Sequence, residues 1–337
     1  MDYNNLRFLL NKRPKGMPED DCWALNSEII TDLNNGEVLI QTEYLSIDPY
    51  MRGKMNDGLS YTPPLKIGEV MVGESVGRVV ESKSKKYAIG DLVTIHQGWQ
   101  TFIRAKDSDP SLQRVPESDL QSSVFLGAIG MPGRTAYYGL NYVGKPKAGE
   151  TLVVSAASGA VGSVVGQLGK LLNCKVVGIA GGIEKAQYVT EELKFDHCID
   201  YKHENVAQKL KEYCSNGIDI YFENVGGEIT KDVSKFLNKG ARVPICGFIS
   251  KYNSPNIASE ETPFHVLGAL KPKPQHRFFV VTEWLNQFEK TTAILLEHIK
   301  SGNLKYKETI TKGFENAPQA LRDVLSGKNF GKQIIEI

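Results

Sequence analysis

The sequence predicts an α/β protein: a doubly wound parallel sheet with helices on both faces, joined to a smaller, barrel-like β domain. Three observations carry that expectation. After Gly149, short apolar runs of strand length alternate with segments of helical spacing. The residues before about 125 hold β-rich runs broken by glycines. The chain has 337 residues, about twice the length of an ordinary single domain.

The elements follow in order. Val38 to Ile47 is rich in β-branched and aromatic residues, residues 70–81 are similar with Gly73 and Gly77 as punctuation, and Gly90-Asp91 is a turn before Leu92 to Ile95. Such short strands suit a compact barrel. Thr151 to Ser155 is a buried-strand run that enters a Gly-rich turn. Val161, Val164, Val165, Leu168 and Leu172 then keep helical spacing, and Lys175 to Ala180 is the next strand. Further strands are expected at residues 196–199, 218–222, 241–246 and 278–281. Alternation of this kind means right-handed crossovers and a parallel sheet. In the tail, residues 316–325 form a helix with Pro318 near its start and Gly327 past its end. Residues 333–337 read as a last strand that periodicity alone assigns to neither sheet.

Composition excludes several functions. Lys plus Arg number 40 against 39 Asp plus Glu, a net charge of +1, so no global attraction to nucleic acid or anionic membrane follows. Residues 151–169 carry no charge, and Gly162-x-x-x-Gly166 mimics a membrane dimer motif, but strand and turn signals explain the segment better than a span. The five cysteines, Cys22, Cys174, Cys198, Cys214 and Cys246, are scattered and never spaced C-x-x-C. With no secretory pattern in the first residues, they point to a reducing compartment, the cytoplasm.

The densest functional signal is Val154-Ser-Ala-Ala-Ser-Gly-Ala-Val-Gly162, a strand, turn and helix start of the kind that binds a dinucleotide. Ala157 stands at the first glycine position. Gly159 lets backbone approach the pyrophosphate, Ala160 and Val161 continue the turn, and Gly162 lets the helix pack on the strand. The second strand ends in Ala180-Gly181-Gly182, without the acidic residue that would select NAD, and Lys185 follows. A lysine there meets a 2′-phosphate, so NADPH is expected over NADH, although Glu184 stands beside it.

With these residues in hand, the chain resembles the zinc-independent medium-chain dehydrogenase/reductase family, in the branch of the prostaglandin/leukotriene reductases, plant alkenal double-bond reductases and bacterial curcumin reductases. The markers are Leu45-Ser-Ile-Asp-Pro-Tyr-Met-Arg-Gly53, Gly130-Met-Pro-Gly133 with Thr135-Ala-Tyr137, Ala156-Ala-Ser-Gly-Ala-Val-Gly162, Tyr221-Phe-Glu-Asn-Val-Gly-Gly227, Cys246-Gly-Phe-Ile-Ser-Lys-Tyr-Asn253 and Gly327-Lys-Asn-Phe-Gly-Lys332. Ser60-Tyr-Thr-Pro-Pro64 leans toward the curcumin reductases. The resemblance implies a GroES-like, partly open barrel from residues 1–125 completed by 306–337, a Rossmann NADP-binding domain from 126–305, and a homodimer. It further implies that Lys185 and Tyr201 contact the 2′-phosphate. Asn224, Cys246, Gly247, Phe248, Ile249, Ser250, Tyr252, Phe279, Val280, Val281 and Asn329 would line adenosine and nicotinamide, with Met131 and Thr135 near the nicotinamide. Cys246 has the alternative of a small buried hydrophobe, and residues 279–281 that of strand core touching cofactor only through backbone.

Zinc-dependent relatives of this superfold hold metal with Cys and His, yet no cysteine lies between Cys22 and Cys174, and His96 is the only histidine of the first domain. His96 therefore reads as structural or surface. Hydride transfer to an already activated carbon remains: the β-carbon of an enone or enal, with charge moving to oxygen. A phenol suffices to receive that charge. Tyr252 resembles the family's catalytic tyrosine, and Tyr50 is the second candidate. The α-carbon proton comes from Tyr252 or water. Arg52 either grips a substrate carboxylate or pairs with Asp48. Two departures bear on the substrate pocket: residues 271–277 are broken by prolines, and Phe278 replaces a common glycine. The expected function is NADPH-dependent reduction of a conjugated C=C bond; the alternatives are a quinone or carbonyl reductase, or a non-enzymatic NADPH sensor.

Overall fold

The structure, a computed structural model, describes residues 2–58 and 63–337. Ser60 to Thr62 of the curcumin-reductase-like motif lie outside the described residues. The chain divides into two compact units, Met1–Gly127 with Glu308–Asn329 and Gln333–Ile337, and Ala128–Lys307 with Phe330–Lys332.

The strands run, in chain order, β1 (Tyr3–Leu10), β2 (Trp23–Ile30), β3 (Glu37–Ile47), β4 (Ser75–Ser82), β5 (Leu92–Ile95), β6 (Phe102–Lys106) and β7 (Gln113–Arg114). Next come β8 (Thr151–Ser155), β9 (Lys175–Ala180), β10 (His197–Asp200), β11 (Ile218–Phe222), β12 (Leu237–Ile245) and β13 (Gln275–Phe278), then β14 (Glu308–Lys312) and β15 (Lys332–Glu336).

In the first unit a seven-stranded sheet has the order β14-β15-β3-β4-β5-β7, with β6 also on β3, and β1-β2 form a separate antiparallel pair. The long strand β3 organises it, because alternate residues Val38 and Ile40 bury into a core with Val79, Val93, Ile95, Ile103 and Leu112. The β3–β4 register slips between Thr42 and Tyr44. Gly77 lies opposite the slip, where a Cβ would stand 2.1 Å from the Gln41 carbonyl oxygen. The tail strand that periodicity left unassigned, β15, pairs antiparallel with β3, Gln333 opposite Ile47 through Glu336 opposite Tyr44.

In the second unit six parallel strands have the order β10-β9-β8-β11-β12-β13, the doubly wound topology the alternation predicts. The order reverses between β8 and β11, so the turns leaving those two strands open the crevice where such sheets bind ligands. The helix Gly162–Leu171 explains the uncharged stretch, since its first eight residues are all buried. A Cβ on Gly166 would stand 1.8 Å from the Phe195 ring, and one on Gly169 would stand 2.5 Å from Leu152. Its glycines bring helix close to sheet, and their spacing has nothing to do with membrane. Among the described residues no helix is long and apolar enough to cross a membrane.

Several expected elements shift: the run at 70–81 is strand only over Ser75–Ser82, and β12 begins at Leu237, four residues before the expected 241. The third strand is displaced by one residue to His197–Asp200. The last one is displaced by three residues, to Gln275–Phe278 in place of 278–281, because β12 ends at Ile245, opposite Phe278. Phe279 then turns into the core, where its ring meets Phe222 edge-on at 6.0 Å, and Val280 N–H donates to Glu283 Oε1 (2.9 Å) as a helical turn begins. The 279–281 segment is thus not strand core.

Candidate active site

The dinucleotide loop leaves β8 through Ala156, held at φ +51°. Ala157 N–H donates to the Ile179 carbonyl (3.0 Å) and Gly159 N–H to that of Ala156 (2.9 Å). A Cβ on Gly162 would stand 2.3 Å from the Ala156 oxygen, so only glycine starts the helix this close to the turn. Alanine replaces the usual first glycine because the neighbouring strand offers room: a Cβ on Gly178 would lie 2.8 Å from the Ala157 methyl. Gly331 bridges Gly159 in parallel, which places the Phe330–Lys332 segment beside the loop. The motif string marks Asn329, and no local pattern marks this bridge.

At the end of β9 the chain turns through Gly181 and Gly182, the latter at φ +104°. The Tyr201 ring lies flat enough against this turn that a Cβ on Gly181 would be 2.8 Å from it. An acidic residue is present after all, one strand further on. Buried Asp200 accepts from the N–H groups of Gly182 (2.7 Å) and Lys202 (3.1 Å), and its other oxygen lies 2.6 Å from His203 Nδ1. It is spent on fixing the turn. Glu184 is exposed, whereas Lys185 is half-buried; burial, then the charge of Lys202, pushes its pKa below the ordinary value. Its Nζ stands 6.0 Å from the Phe330 ring centroid and Lys307 Nζ stands 4.3 Å from the same ring, with Tyr188 edge-on to it at 5.1 Å. These cations beside small residues fit a phosphomonoester on a dinucleotide.

Beyond β11 the loop is organised by a single fully buried carboxylate. Glu223 Oε1 accepts from Ser155 Oγ (3.2 Å), Val225 N–H (2.7 Å) and Gly226 N–H (3.0 Å), while Oε2 accepts from the Thr230 hydroxyl. Burial raises its pKa nonetheless. Asn224 is tied to the end of β8, its Nδ2 donating to the Ser155 carbonyl (2.7 Å) and its backbone N–H to Ser155 Oγ (2.8 Å). The next loop hangs from this one: Cys246 N–H donates to Glu223 O (2.9 Å), Ile249 N–H to Asn224 O (3.1 Å) and Ser250 N–H to Val225 O (3.0 Å). On this loop Tyr252 folds back so that its hydroxyl oxygen accepts from Phe248 N–H at 3.4 Å, its ring edge-on to Phe248 at 5.7 Å. Burial pushes the Cys246 thiol up to about 12, which makes it a neutral packing group rather than a nucleophile. Thr135 Oγ1 donates to the Met131 carbonyl one turn back (2.8 Å) in the helix Met131–Tyr138, which packs on the helix Gly162–Leu171.

In the first unit Tyr50 opens the short helix Tyr50–Lys54, and its hydroxyl oxygen lies 2.8 Å from His96 Nε2. Arg52 serves neither expected purpose. It is fully buried, and its guanidinium donates to the carbonyls of Gly16 (2.9 Å) and Pro14 (3.5 Å) and to Asn56 Oδ1 (2.6 Å). Burial pulls its pKa down to about 10. The cause of the departure is local: the helix points residue 52 inward, beneath the loop that carries Gly16. Among the described residues no group of three or more His, Cys, Asp or Glu side chains is placed to hold a metal ion.

A two-unit oxidoreductase with a dinucleotide crevice is the class these features define. Residues 7–113 match the family described as N-terminal domain of oxidoreductase, and residues 160–280 match the one described as zinc-binding dehydrogenase. The chain is 42% identical over 339 residues to the NADPH-dependent curcumin reductase of Escherichia coli, covering 99% of this chain and 97% of that protein. It is 38% identical to prostaglandin reductase 1 of Oryctolagus cuniculus, over 96% of this chain and 91% of that one. The crystal structure of CurA in complex with NADPH from Vibrio vulnificus superposes with a TM-score of 0.92 at 41% identity, covering 98% of each chain. The protein belongs to the medium-chain dehydrogenase/reductase family, in the branch of the curcumin and prostaglandin reductases.

Proposed function

We propose that this protein is an NADPH-dependent reductase of the conjugated C=C bond of α,β-unsaturated ketones and aldehydes, with curcumin-like or 15-oxoprostaglandin-like substrates. The observation that carries the reading is the Tyr252 phenol, held by the same loop that hangs from Glu223 and Asn224 at the dinucleotide crevice. The names of the relatives agree with it.

NADPH, when bound, supplies the hydride that reaches the substrate's β-carbon. Gly159 to Gly162 receive the pyrophosphate with backbone N–H groups, and Lys185 with Tyr201 receives the 2′-phosphate. Asn224, the 246–252 loop, Thr135, Met131, the backbone of 279–281 and Asn329 position the rest of the dinucleotide. Tyr252 donates its O–H to the substrate oxygen, where negative charge gathers as the β-carbon is reduced, and Tyr50 supplies a second phenol. The N–H that Phe248 gives to the Tyr252 oxygen polarises that O–H and makes it the better donor. Arg52, buried and fully committed, takes no part. The protein acts on a small molecule as a cytoplasmic homodimer, a setting its free cysteines suit.

Oxidation of NADPH by the full-length protein across a panel of enones and quinones, with product analysis, tests the reading. The saturated ketone from an enone supports it. An allylic alcohol, or turnover of quinones alone, supports carbonyl or quinone reduction, and no turnover leaves a sensor.

A further inference from the structure

Phe330 enters the second unit from the far end of the chain and lays its ring against the helical segment that carries Lys185. Lys185 and Tyr188 are one helical turn apart, so they share a face. That face meets Phe330. The Tyr188 ring is edge-on to it at 5.1 Å, and Lys185 Nζ lies over it, 6.0 Å from its centroid. Lys307 Nζ stands 4.3 Å from the same centroid and 5.4 Å from that of Tyr188. The ring has little freedom. Gly331, the next residue, has φ +72° and bridges Gly159 of the dinucleotide loop, and a Cβ on it would stand 1.9 Å from the Lys307 carbonyl oxygen. Lys332 N–H donates to that same oxygen (2.9 Å). The segment carrying Lys307 is pinned in turn: Lys305 N–H donates to Gln167 Oε1 (2.8 Å), Gln167 Nε2 donates to Lys305 O (2.9 Å), and Lys305 Nζ pairs with Glu192 Oε2 (2.8 Å). Gln167 lies on the helix that starts at the dinucleotide loop, so one frame fixes both that loop and the Phe330 ring.

A cation 6.0 Å from a ring centroid sits at the outer limit of cation–π attraction, so the ring contributes little by binding the charge. Its larger effect is on the lysine stem, a long flexible chain that costs entropy to order and packs along apolar surface. Lys185 is half-buried, whereas Glu184 and Gln187 on the same short helix are exposed. We infer that Phe330 is a positioning residue for cofactor selection: its ring packs the Lys185 stem so that the ammonium is aimed at the 2′-phosphate of NADPH. Phe330 offers the phosphate no donor and acts only through Lys185. A preset ammonium binds a phosphomonoester more tightly because its stem is ordered in folding and not in binding. The inference rests on the reading of Lys185 as the 2′-phosphate cation and goes beyond it by naming what holds that cation in place.

The test needs no turnover. Calorimetry on the full-length protein measures dissociation constants for 2′,5′-ADP, which carries the 2′-phosphate, and for 5′-AMP, which lacks it. Phe330→Leu is expected to weaken 2′,5′-ADP about five- to tenfold and to leave 5′-AMP within about twofold. Phe330→Tyr keeps the ring and matches the wild type, and in a Lys185→Ala background Phe330→Leu adds no further loss. Phe330→Met, which nearly keeps the volume, carries the same expectations if the leucine variant fails to fold. A pH profile separates positioning from folding. The titratable groups around Lys185 are Glu184 and Tyr188 on its own helical segment, Tyr201 and Lys202 after β10, and Lys307 beside Phe330. Burial, then the charge of Lys202, depresses the Lys185 pKa. Opening the stem to water in Phe330→Leu raises it toward the ordinary lysine value, so the alkaline loss of 2′,5′-ADP affinity moves to higher pH. Equal losses for both nucleotides, additive losses in the double variant, or an unmoved alkaline limb would each overturn the positioning role. If Lys185→Ala binds 2′,5′-ADP as the wild type does, the cation reading falls and the inference with it. If Lys185→Ala loses affinity and Phe330→Leu does not, the inference alone falls.

Discussion

The hydroxyl oxygen of Tyr252 stands 2.6 Å from the point a Cβ on Gly247 would occupy. The clash partner is the far end of a side chain and not backbone, so an added methyl displaces the phenol at little cost in stability. Gly247→Ala is therefore expected to keep the thermal unfolding midpoint within about 2 °C, the scale of a surface substitution. Its kcat on an enone falls on the order of tenfold or more. Tyr252→Phe removes the donor outright and loses on the order of ten- to a thousandfold in kcat. Steady-state rates beside calorimetry check both; full activity in Tyr252→Phe removes the phenol from the mechanism.

Lys185 carries the cofactor preference. Removing a charged donor to phosphate costs about 1.5–3 kcal/mol, so Lys185→Ala should weaken NADPH binding on the order of ten- to a hundredfold and leave NADH unchanged. The pH dependence has a definite sign. Burial and Lys202 depress the Lys185 pKa, so its charge is lost as pH rises through a value below that of an ordinary lysine. NADPH dissociation constants should thus climb on the alkaline side in the wild-type protein, with a flatter profile in Lys185→Ala. Fluorescence titration of both dinucleotides measures this, and equal alkaline losses for NADH would point elsewhere.

Arg52 shows where chemistry-bearing residue types mislead. Its two expected partners were a substrate carboxylate and Asp48, but its donors go to Gly16, Pro14 and Asn56. Arg52→Met is expected to lower stability by about 1–3 kcal/mol, because buried carbonyls lose their donors. The ratio of kcat/KM for a carboxylate-bearing enone to that for a neutral one should not change. A selective loss on the carboxylate would restore the substrate role.

These cases mark what a single sequence makes legible. The parallel sheet and its first turn were readable because β8 and the helix after it are set by local pattern: an all-apolar run, a glycine turn and valines at helical spacing. Tyr252 and the Glu223–Gly227 turn were readable through motif strings. Lys202 and Lys307 were not, and the motif string that contains Phe330 does not tell that this ring returns to the Lys185 region from 145 positions away. The Tyr50–His96 bond escaped for the same reason. The end of β13 was misplaced because Phe279 and Val280 have strand-like side chains, while pairing stops where β12 stops, a fact of the neighbour and not of the segment.

Glu223 allows a sharper test, because its two oxygens have different duties. Among the described residues Oε1 accepts three bonds and Oε2 that of Thr230. Glutamine keeps an acceptor at Oε1 and places an amide N–H opposite the Thr230 hydroxyl, which can accept as well as donate. Glu223→Gln should therefore fold and bind NADPH as the wild-type protein does, whereas Glu223→Leu takes the carboxylate acceptor from all four donors and costs several kcal/mol at about 1–3 for each left unpaired. The raised folded-state pKa means that Glu223 favours folding fully below the ordinary carboxylate range. That contribution fades as pH rises through the raised value. Wild-type stability measured by denaturant unfolding should accordingly decline across that window relative to Glu223→Gln. Parallel pH profiles for the two proteins would show that the carboxylate is ionised in the folded state without penalty, and that the loop is held by hydrogen-bond geometry alone.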